Sequence, residues 1–384
     1  MSIENQNHTL ESLLETVRDQ SARKADYIAQ TDSLQVRTVE RETGNETQVI
    51  LEADGGEPTK ILTANGVAFD QMTTKAGLDV RTGRRLQQSY PDVLDHALNR
   101  IHQQESRSAM LRTFDDSLSL NGGTLRAVVS DKFKTFDNPD LLEAVLPTLI
   151  ESDAEWQIVN AQITDRRLYA RFKSLAITGE GSAVGDLMAQ GVVVGNSETG
   201  HGSVSVAQVV WTLACLNGMQ TANKNRTAHL TSSRSDGDTW AMLTDESKRL
   251  DNSALSSKLR DITAAYASRE MFESVLEQFR VAAADVVTNG MAAAQPAVAA
   301  LGTILKLSKA ESSSVLDGLM RTIQQPGYAG QPLSRATMVN AVTAAAHGAD
   351  ADSVSDWQSL GGKVLDLPAN QWASVASAPV AMAA

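Results

Sequence analysis

Residues 156–173 read WQIVNAQITDRRLYARFK. Two runs of alternating side chains, Trp156–Ile163 and Arg167–Lys173, flank Thr164-Asp165-Arg166. With Asp165 and Arg166 as a two-residue turn, Val159 opposes Phe172, Ala161 opposes Ala170 and Ile163 opposes Leu168. The other side then pairs Asn160 with Arg171 and Gln162 with Tyr169, with Arg167 beyond them. One register thus sorts both strands into an apolar and a polar side, as a half-buried antiparallel sheet requires. Asp-Arg is not a favoured turn pair, and a longer loop would shift this register.

Upstream of the hairpin, Asn138-Pro139-Asp140 reads as a helix start. Asn138 caps, Pro139 fits the first turn, and Asp140 and Glu143 suit the positive end of the dipole. Leu141, Leu142, Val145, Leu146, Leu149 and Ile150 form its apolar face. Arg126–Ser130 reads as a short strand before it. Downstream, Gly179 to Gly185 reads as a loop, Val192-Val193-Val194 as a fully buried strand, and Asn196 to Gly202 as a glycine-bounded turn. Val204–Leu216 is expected to run from strand into helix, with Asn217-Gly218 as its C-cap.

These elements make residues 121–235 a core domain. Residues 1–120 form a region of helix and strand. Leu10, Leu13, Leu14 and Val17 lie at helical spacing, two or three short strands with an Asp54-Gly55-Gly56 turn fall within 31–66, and a helix begins at Pro91. Residues 221–240 are polar and read as a loop or boundary. Residues 241–384 are mainly helical, with stripes such as Leu255, Leu259, Ile262, Tyr266 and Val315, Leu316, Leu319, Met320, Ile323. The expected fold class is α+β: an antiparallel sheet with a long hairpin packed on helices, plus a helical C-terminal region.

The 384 residues are 42% hydrophobic, enough for a real core, yet only 4% aromatic, so aliphatic side chains must do the packing. Acidic residues outnumber basic ones 46 to 34, a net charge of −12 that argues against unselective binding to duplex nucleic acid or an anionic membrane. One cysteine, Cys215, rules out an intramolecular disulfide and a multi-cysteine zinc site. No run approaches the roughly 20 apolar residues of a membrane span. The N-terminal residues are polar and acidic, with no secretory apolar run, so a soluble cytoplasmic protein is expected (of the host cell, if the chain is phage-encoded).

Catalytic signatures are missing. Gly179, Gly181 and Gly185 give GxGxxxG rather than a dinucleotide fingerprint, and Gly362-Lys363 is followed by Val364 rather than Ser or Thr. The six histidines show no metal-ligand spacing, and no serine sits in a GxSxG elbow. No enzyme activity, cofactor or metal is expected. The cations are more informative. Arg167, Tyr169, Arg171 and Lys173 alternate on one strand and share its polar face, Arg166 sits in the turn, and Lys132, Lys134, Lys224, Arg226 and Arg234 lie on neighbouring segments. A basic strand face with an interleaved aromatic suits single-stranded nucleic acid. The solvated face of an ordinary antiparallel sheet is the other reading of the same residues.

Several stretches resemble the phage- and plasmid-borne family DUF932, a domain of unknown function. They are Arg23-Lys24-Ala25-Asp26-Tyr27, residues 126–134 (RAVVSDKFK), residues 137–147 (DNPDLLEAVLP), Gly185-Asp186, residues 191–200 (GVVVGNSETG), Gly202-Ser203-Val204-Ser205-Val206, residues 215–219 (CLNGM), Asn340-Ala341-Val342-Thr343, residues 361–365 (GGKVL) and Trp372. The resemblance covers most of the chain and implies a mobile-element setting, but brings no activity and no functional residues. The family's usual aromatic or hydroxyl positions within 133–136 read Phe133 and Phe136 here. The helix, three-strand, helix core is also similar to that of phage single-strand annealing proteins, a likeness of fold alone. The leading expectation is a non-catalytic recombination protein that binds single-stranded DNA and promotes annealing as a homo-oligomer. The alternative is an accessory or anti-defence factor whose acidic surface engages a host protein.

Overall fold

The computed structural model describes residues 9–52, 58–115, 123–181, 186–213, 217–227, 243–325, 327–347, 349 and 351–379. The expected Asp54-Gly55-Gly56 turn, Cys215 and Arg234 lie outside them. The fold is α+β, with two sheets and a helical C-terminal part.

Helix α1 (Leu10–Arg23) leads into β1 (Lys24–Gln30), β2 (Leu34–Val39), β3 (Glu46–Glu52) and β4 (Pro58–Ala64). Helices α2 (Gly66–Lys75), α3 (Val80–Ser89) and α4 (Pro91–Gln104) follow, then β5 (Ser108–Phe114) and β6 (Gly123–Ser130). The six strands lie in the order β1-β5-β6-β4-β3-β2, all antiparallel except the β4–β6 pair. Val49, Leu62, Leu111 and Leu125 pack against Phe69 and Met72 of α2 and Leu94 and Leu98 of α4. The outer strand β2 is covered: Asn99 of α4 accepts from the Val36 N–H at 2.7 Å and donates to its carbonyl at 2.8 Å, and Asp95 accepts from the Thr38 N–H. Side chains thus occupy hydrogen-bonding groups that would otherwise invite another strand.

The second sheet is antiparallel throughout. After α5 (Asn138–Glu151) come β7 (Trp156–Ile163), β8 (Leu168–Glu180), β9 (Leu187–Asn196), β10 (Val204–Thr212) and β11 (Asn217–Thr227), in the order β11-β10-β9-β8-β7. One face carries Ala161, Ile163, Leu168, Ala170, Phe172, Val192, Val194, Val204 and Val206, packed under α1, α5 and α6 (Asp245–Tyr266). The C-terminal helices α7 (Arg269–Ala284), α8 (Ala294–Leu305), α9 (Lys309–Thr322), α10 (Arg335–Ala344), α11 (Ala351–Leu365) and α12 (Ala369–Ala376) build a core that reaches Met188, Val210 and Met219 of the sheet.

The hairpin register holds from Ile163↔Leu168 to Asn160↔Arg171, as expected. Beyond that a β-bulge intervenes, and Phe172 opposes Ile158 rather than Val159. The extra residue, Val159, packs instead against the cluster of Ala189, Val209 and Trp211. Three further expectations are corrected. The cap of α5 is Asp137, whose N–H donates to Asp140 at 2.8 Å, because the Asn138 side chain is engaged by Asn196. Gly179 and Glu180 end β8 rather than opening a loop. Asn217-Gly218 starts a strand rather than ending a helix, since β11 pairs along β10 as far as Val204↔Thr227. The expected division at residue 121 also differs from the division between the sheets, because β6 completes the first sheet and α1 packs on the second.

Helix α11 seats on β11 through Gly362, where a Cβ would collide with the Gln220 carbonyl oxygen. Gln358 and Gln220 join their side-chain amides beside it at 3.1 Å. Gly362→Ala is therefore expected to lower stability by about 1–3 kcal/mol, as overpacking does. A fall in the urea midpoint checks this, and an unchanged midpoint contradicts the close approach.

Candidate functional site

The turn between β9 and β10, Asn196 to Ser203, is hydrogen-bonded to β5, β6, α2, α5 and the hairpin turn. Glu198 enters it from the extended end of β9 and points inward, with only 6% of its surface exposed. Its Oε2 accepts from Arg126 Nη2 at 2.6 Å, its Oε1 from the Asn138 N–H at 2.8 Å, and its carbonyl from Arg112 Nη1 at 2.9 Å. Arg112, fully buried on β5, reaches Asp26 with Nε at 3.1 Å and Nη2 at 3.2 Å, and Asp137 with Nη2 at 2.8 Å. Lys24 closes the network by pairing with Asp137. The Arg126 guanidinium lies 3.9 Å above the Phe114 ring.

Lys24, Arg112 and Arg126 thus meet Asp26, Asp137 and Glu198, and β1, β5 and β6 of the first sheet are tied to α5 and to the turn. Burial alone would raise the Glu198 pKa. The Arg126 and Arg112 charges and the Asn138 N–H outweigh it and hold the carboxyl below its ordinary value. The carboxylates here all accept from cations or N–H groups, so the arrangement locks two sheets and presents no free acid–base pair. Among the described residues no group of His, Cys, Asp and Glu is placed to hold a metal ion.

The outer half of the turn is stapled to the hairpin turn. Ser197 and Thr199 hydroxyls donate to the Arg166 carbonyl at 2.7 and 3.0 Å, and Arg167 Nε donates to the His201 carbonyl at 2.5 Å. Gln71 of α2 donates to the Thr199 carbonyl at 2.7 Å. Gly200 has φ +79°, a left-handed conformation that a side chain resists. Gly200 and Arg166 are exposed, while His201 and Arg167 are half-buried.

The polar face of the hairpin differs from the expected open surface. Tyr169 is 5% exposed and Arg171 1%. Helix α11 covers them: Arg171 Nη2 donates to Ser355 Oγ at 3.1 Å, and its Nη1 to Asn160 Oδ1 at 3.0 Å. The Tyr169 ring lies 5.1 Å from the guanidinium. Arg171 makes no ion pair among the described residues, and its Nε has no partner. Burial pushes its pKa down to about 10. Alternation correctly places these residues on one face, but the face is covered because a second layer of helices returns over it.

The remaining predicted cations divide. Across β8, β9, β10 and β11 one row runs Tyr169, Gly195, Ser205, Arg226, and the next runs Arg171, Val193, Ala207, Lys224. Backbone register therefore brings Lys224 and Arg226 into the rows of Arg171 and Tyr169. Lys173 opposes Gln157 and Gly191 and is half-buried. Lys134 pairs with Asp251 of α6, on the opposite side of the sheet, and Lys132 lies beside it, half-buried. Arg112 carries no signal in the sequence patterns above, although it is the hub of the ion network. A second cluster joins distant stretches: Tyr328 donates to Asp186 at 2.9 Å, Asn340 donates to Tyr328 at 2.6 Å, and Thr212 donates to Asn340 at 3.0 Å.

Residues 126–296 match the family model described as "Domain of unknown function (DUF932)", the family that the sequence resembles. The match runs from β6 into α8. It is shorter than the resemblance suggested, leaving out Lys24, Asp26, Asn340 and Trp372. No curated protein and no solved structure matches the chain. No helix among the described residues is long and apolar enough to cross a membrane.

Removing one member of a buried ion pair strands its partner, which costs about 3–5 kcal/mol. Glu198→Gln is expected to lose that much at pH 7. Because the folded pKa of Glu198 is depressed, its contribution is present above the unfolded value of about 4.3 and disappears as pH falls through the folded one. Urea unfolding across pH should show a shallower acid limb for the variant than for the parent. Parallel limbs would contradict the ionised lock.

Proposed function

We propose that this DUF932-containing chain is a non-enzymatic protein of mobile genetic elements that binds single-stranded DNA and promotes annealing as an oligomer, with the covered face of the second sheet as its nucleic-acid surface. The observation that carries the reading is Arg171. A guanidinium 1% exposed, without a carboxylate partner among the described residues, is held at a cost of several kcal/mol. A phosphate would supply the missing counter-charge, as Arg forks do in nucleic-acid sites.

The rows around Arg171 support the same chemistry. Tyr169 adjoins it, and Lys224 and Arg226 occupy the same cross-strand rows. Arg166 and Arg167 extend the cationic series to the turn, where Arg166 is accessible at once. In this reading a strand first meets Arg166. It reaches Arg171 only when α11 lifts, because Ser355 closes the face. The net charge of −12 confines DNA to this one region and keeps the assembly soluble.

A second reading, a protein-binding accessory factor, is favoured by one observation. An open groove of about 560 Å³ lies between α1 and α5, with Leu14, Val17, Leu142 and Leu146 on its walls.

Fluorescence anisotropy with single-stranded and duplex oligonucleotides, titrated across salt, tests the proposal. Arg166→Ala is an exposed substitution and should change stability by about 0.5 kcal/mol or less. It should flatten the log–log salt dependence for single strands by about 0.7 if one phosphate contact is lost. Equal slopes for parent and variant would move the DNA away from this turn. An absence of binding at low salt would pass the lead to the protein-partner reading.

A further inference from the structure

The first sheet holds a cavity that the nucleic-acid reading does not use. Its volume is about 220 Å³, and it lies between the sheet and helices α2 and α4. Leu34, Val49, Met72, Leu111, Leu125 and Val128 form its walls, and all are buried. An apolar void of about 150 Å³ already accepts benzene, so this one takes a single ring.

Its mouth has a different chemistry. Lys75 from the last turn of α2, His102 from the last turn of α4, and Glu105 and Arg107 line it. Arg107 is neutralised by Glu105 at 2.6 Å, whereas Lys75 makes no ion pair among the described residues. Burial, and then the charge of Arg107, hold the Lys75 ammonium below its ordinary pKa, while Asp131 opposes them. An anion here would relieve both. His102 is 8% exposed, and its Nδ1 has no hydrogen-bond partner. Burial keeps this imidazole below its ordinary pKa, so at neutral pH it is an uncharged ring able to donate one N–H. A buried polar atom without a partner costs free energy that a ligand atom would recover.

We propose that this cavity is a binding site for a small carboxylate carrying one ring, with the ring among the aliphatic walls and the carboxylate between the Lys75 ammonium and the His102 imidazole. Most of its lining, Lys75 and His102 included, precedes the DUF932 segment, and the site is independent of the nucleic-acid proposal. The walls supply affinity by burying the ring, and the two polar groups select the charged head over a neutral one. Charge-assisted hydrogen bonds of this kind change affinity by about tenfold or more.

The test is a nuclear magnetic resonance titration of the full chain, labelled at its methionine methyl groups, with benzoate and with benzyl alcohol. The Met72 methyl, assigned through Met72→Leu, reports on the cavity. Benzoate is expected to shift it saturably at a 1:1 ratio and to bind about tenfold more tightly than benzyl alcohol. Lys75→Met should weaken benzoate by about tenfold and leave benzyl alcohol unchanged. No saturable shift at millimolar benzoate, equal affinity for the two probes, or an unchanged benzoate affinity in Lys75→Met would each overturn the proposal. Should Lys75→Met fail to fold by circular dichroism, the ratio of the two affinities in the parent protein decides it.

Discussion

A carboxylate carried into a protein interior must be met by charge and by hydrogen bonds, or it will take up a proton. Glu198 is met by both. Arg126 and the Asn138 N–H take its two oxygens, and Arg112 takes its carbonyl. These three partners come from β6, the start of α5 and β5, so satisfying one side chain fixes the relative positions of the first sheet, the second sheet and the helix between them. The turn that carries Glu198 then holds the hairpin turn through Ser197 and Thr199. Local geometry at a single turn is thereby transmitted to both sheets.

The second sheet is covered on two sides for different reasons. One face is aliphatic and packs under α1, α5 and α6 through ordinary burial of Val, Leu and Ala. The other carries Tyr169, Arg171, Asn160 and Gln220, and α11 closes it with Ser355, Gln358 and a glycine approach at Gly362. A polar interface of this kind gains little from area and depends on complete pairing. Its pairing is incomplete at the Arg171 Nε. Helix α11 thus meets the sheet through glycine and amide contacts at Gly362 and Gln358 and through the Arg171 contact at Ser355. The unpaired Nε is the physical basis for the proposal that this face binds nucleic acid beneath α11.

Much of this was legible in residue patterns. The 156–173 hairpin, the α5 stripe from Leu141 to Leu149 and the Val192–Val194 strand all followed from period-two and period-3.6 spacing, because both are set by local backbone geometry. The bulge at Val159 was not legible: a bulge changes parity by one residue, and the alternation around Ile158 and Val159 reads equally well either way. The strand at Asn217–Thr227 was hidden by its polar composition, which suits a loop as well as a strand, and its pairing depends on β10 rather than on itself. Burial of Arg171 depended on a helix nearly two hundred residues away. Arg112 stood alone between Leu111 and Thr113 in a short strand, and its partners Asp26, Asp137 and Glu198 are scattered over the chain. Only the fold assembles them.

The central proposal is that nucleic acid binds the face beneath α11, where Arg171 has no ion pair among the described residues. Hydrogen exchange of the full chain with and without a saturating single-stranded oligonucleotide measures this directly, since exchange reports helix opening residue by residue. Amides of α11 around Ser355 should exchange faster in the complex, while those of α5, on the opposite face, keep their protection. Unchanged protection of α11 in a chain that is demonstrably bound to the oligonucleotide would contradict the claim and place the nucleic acid on another surface.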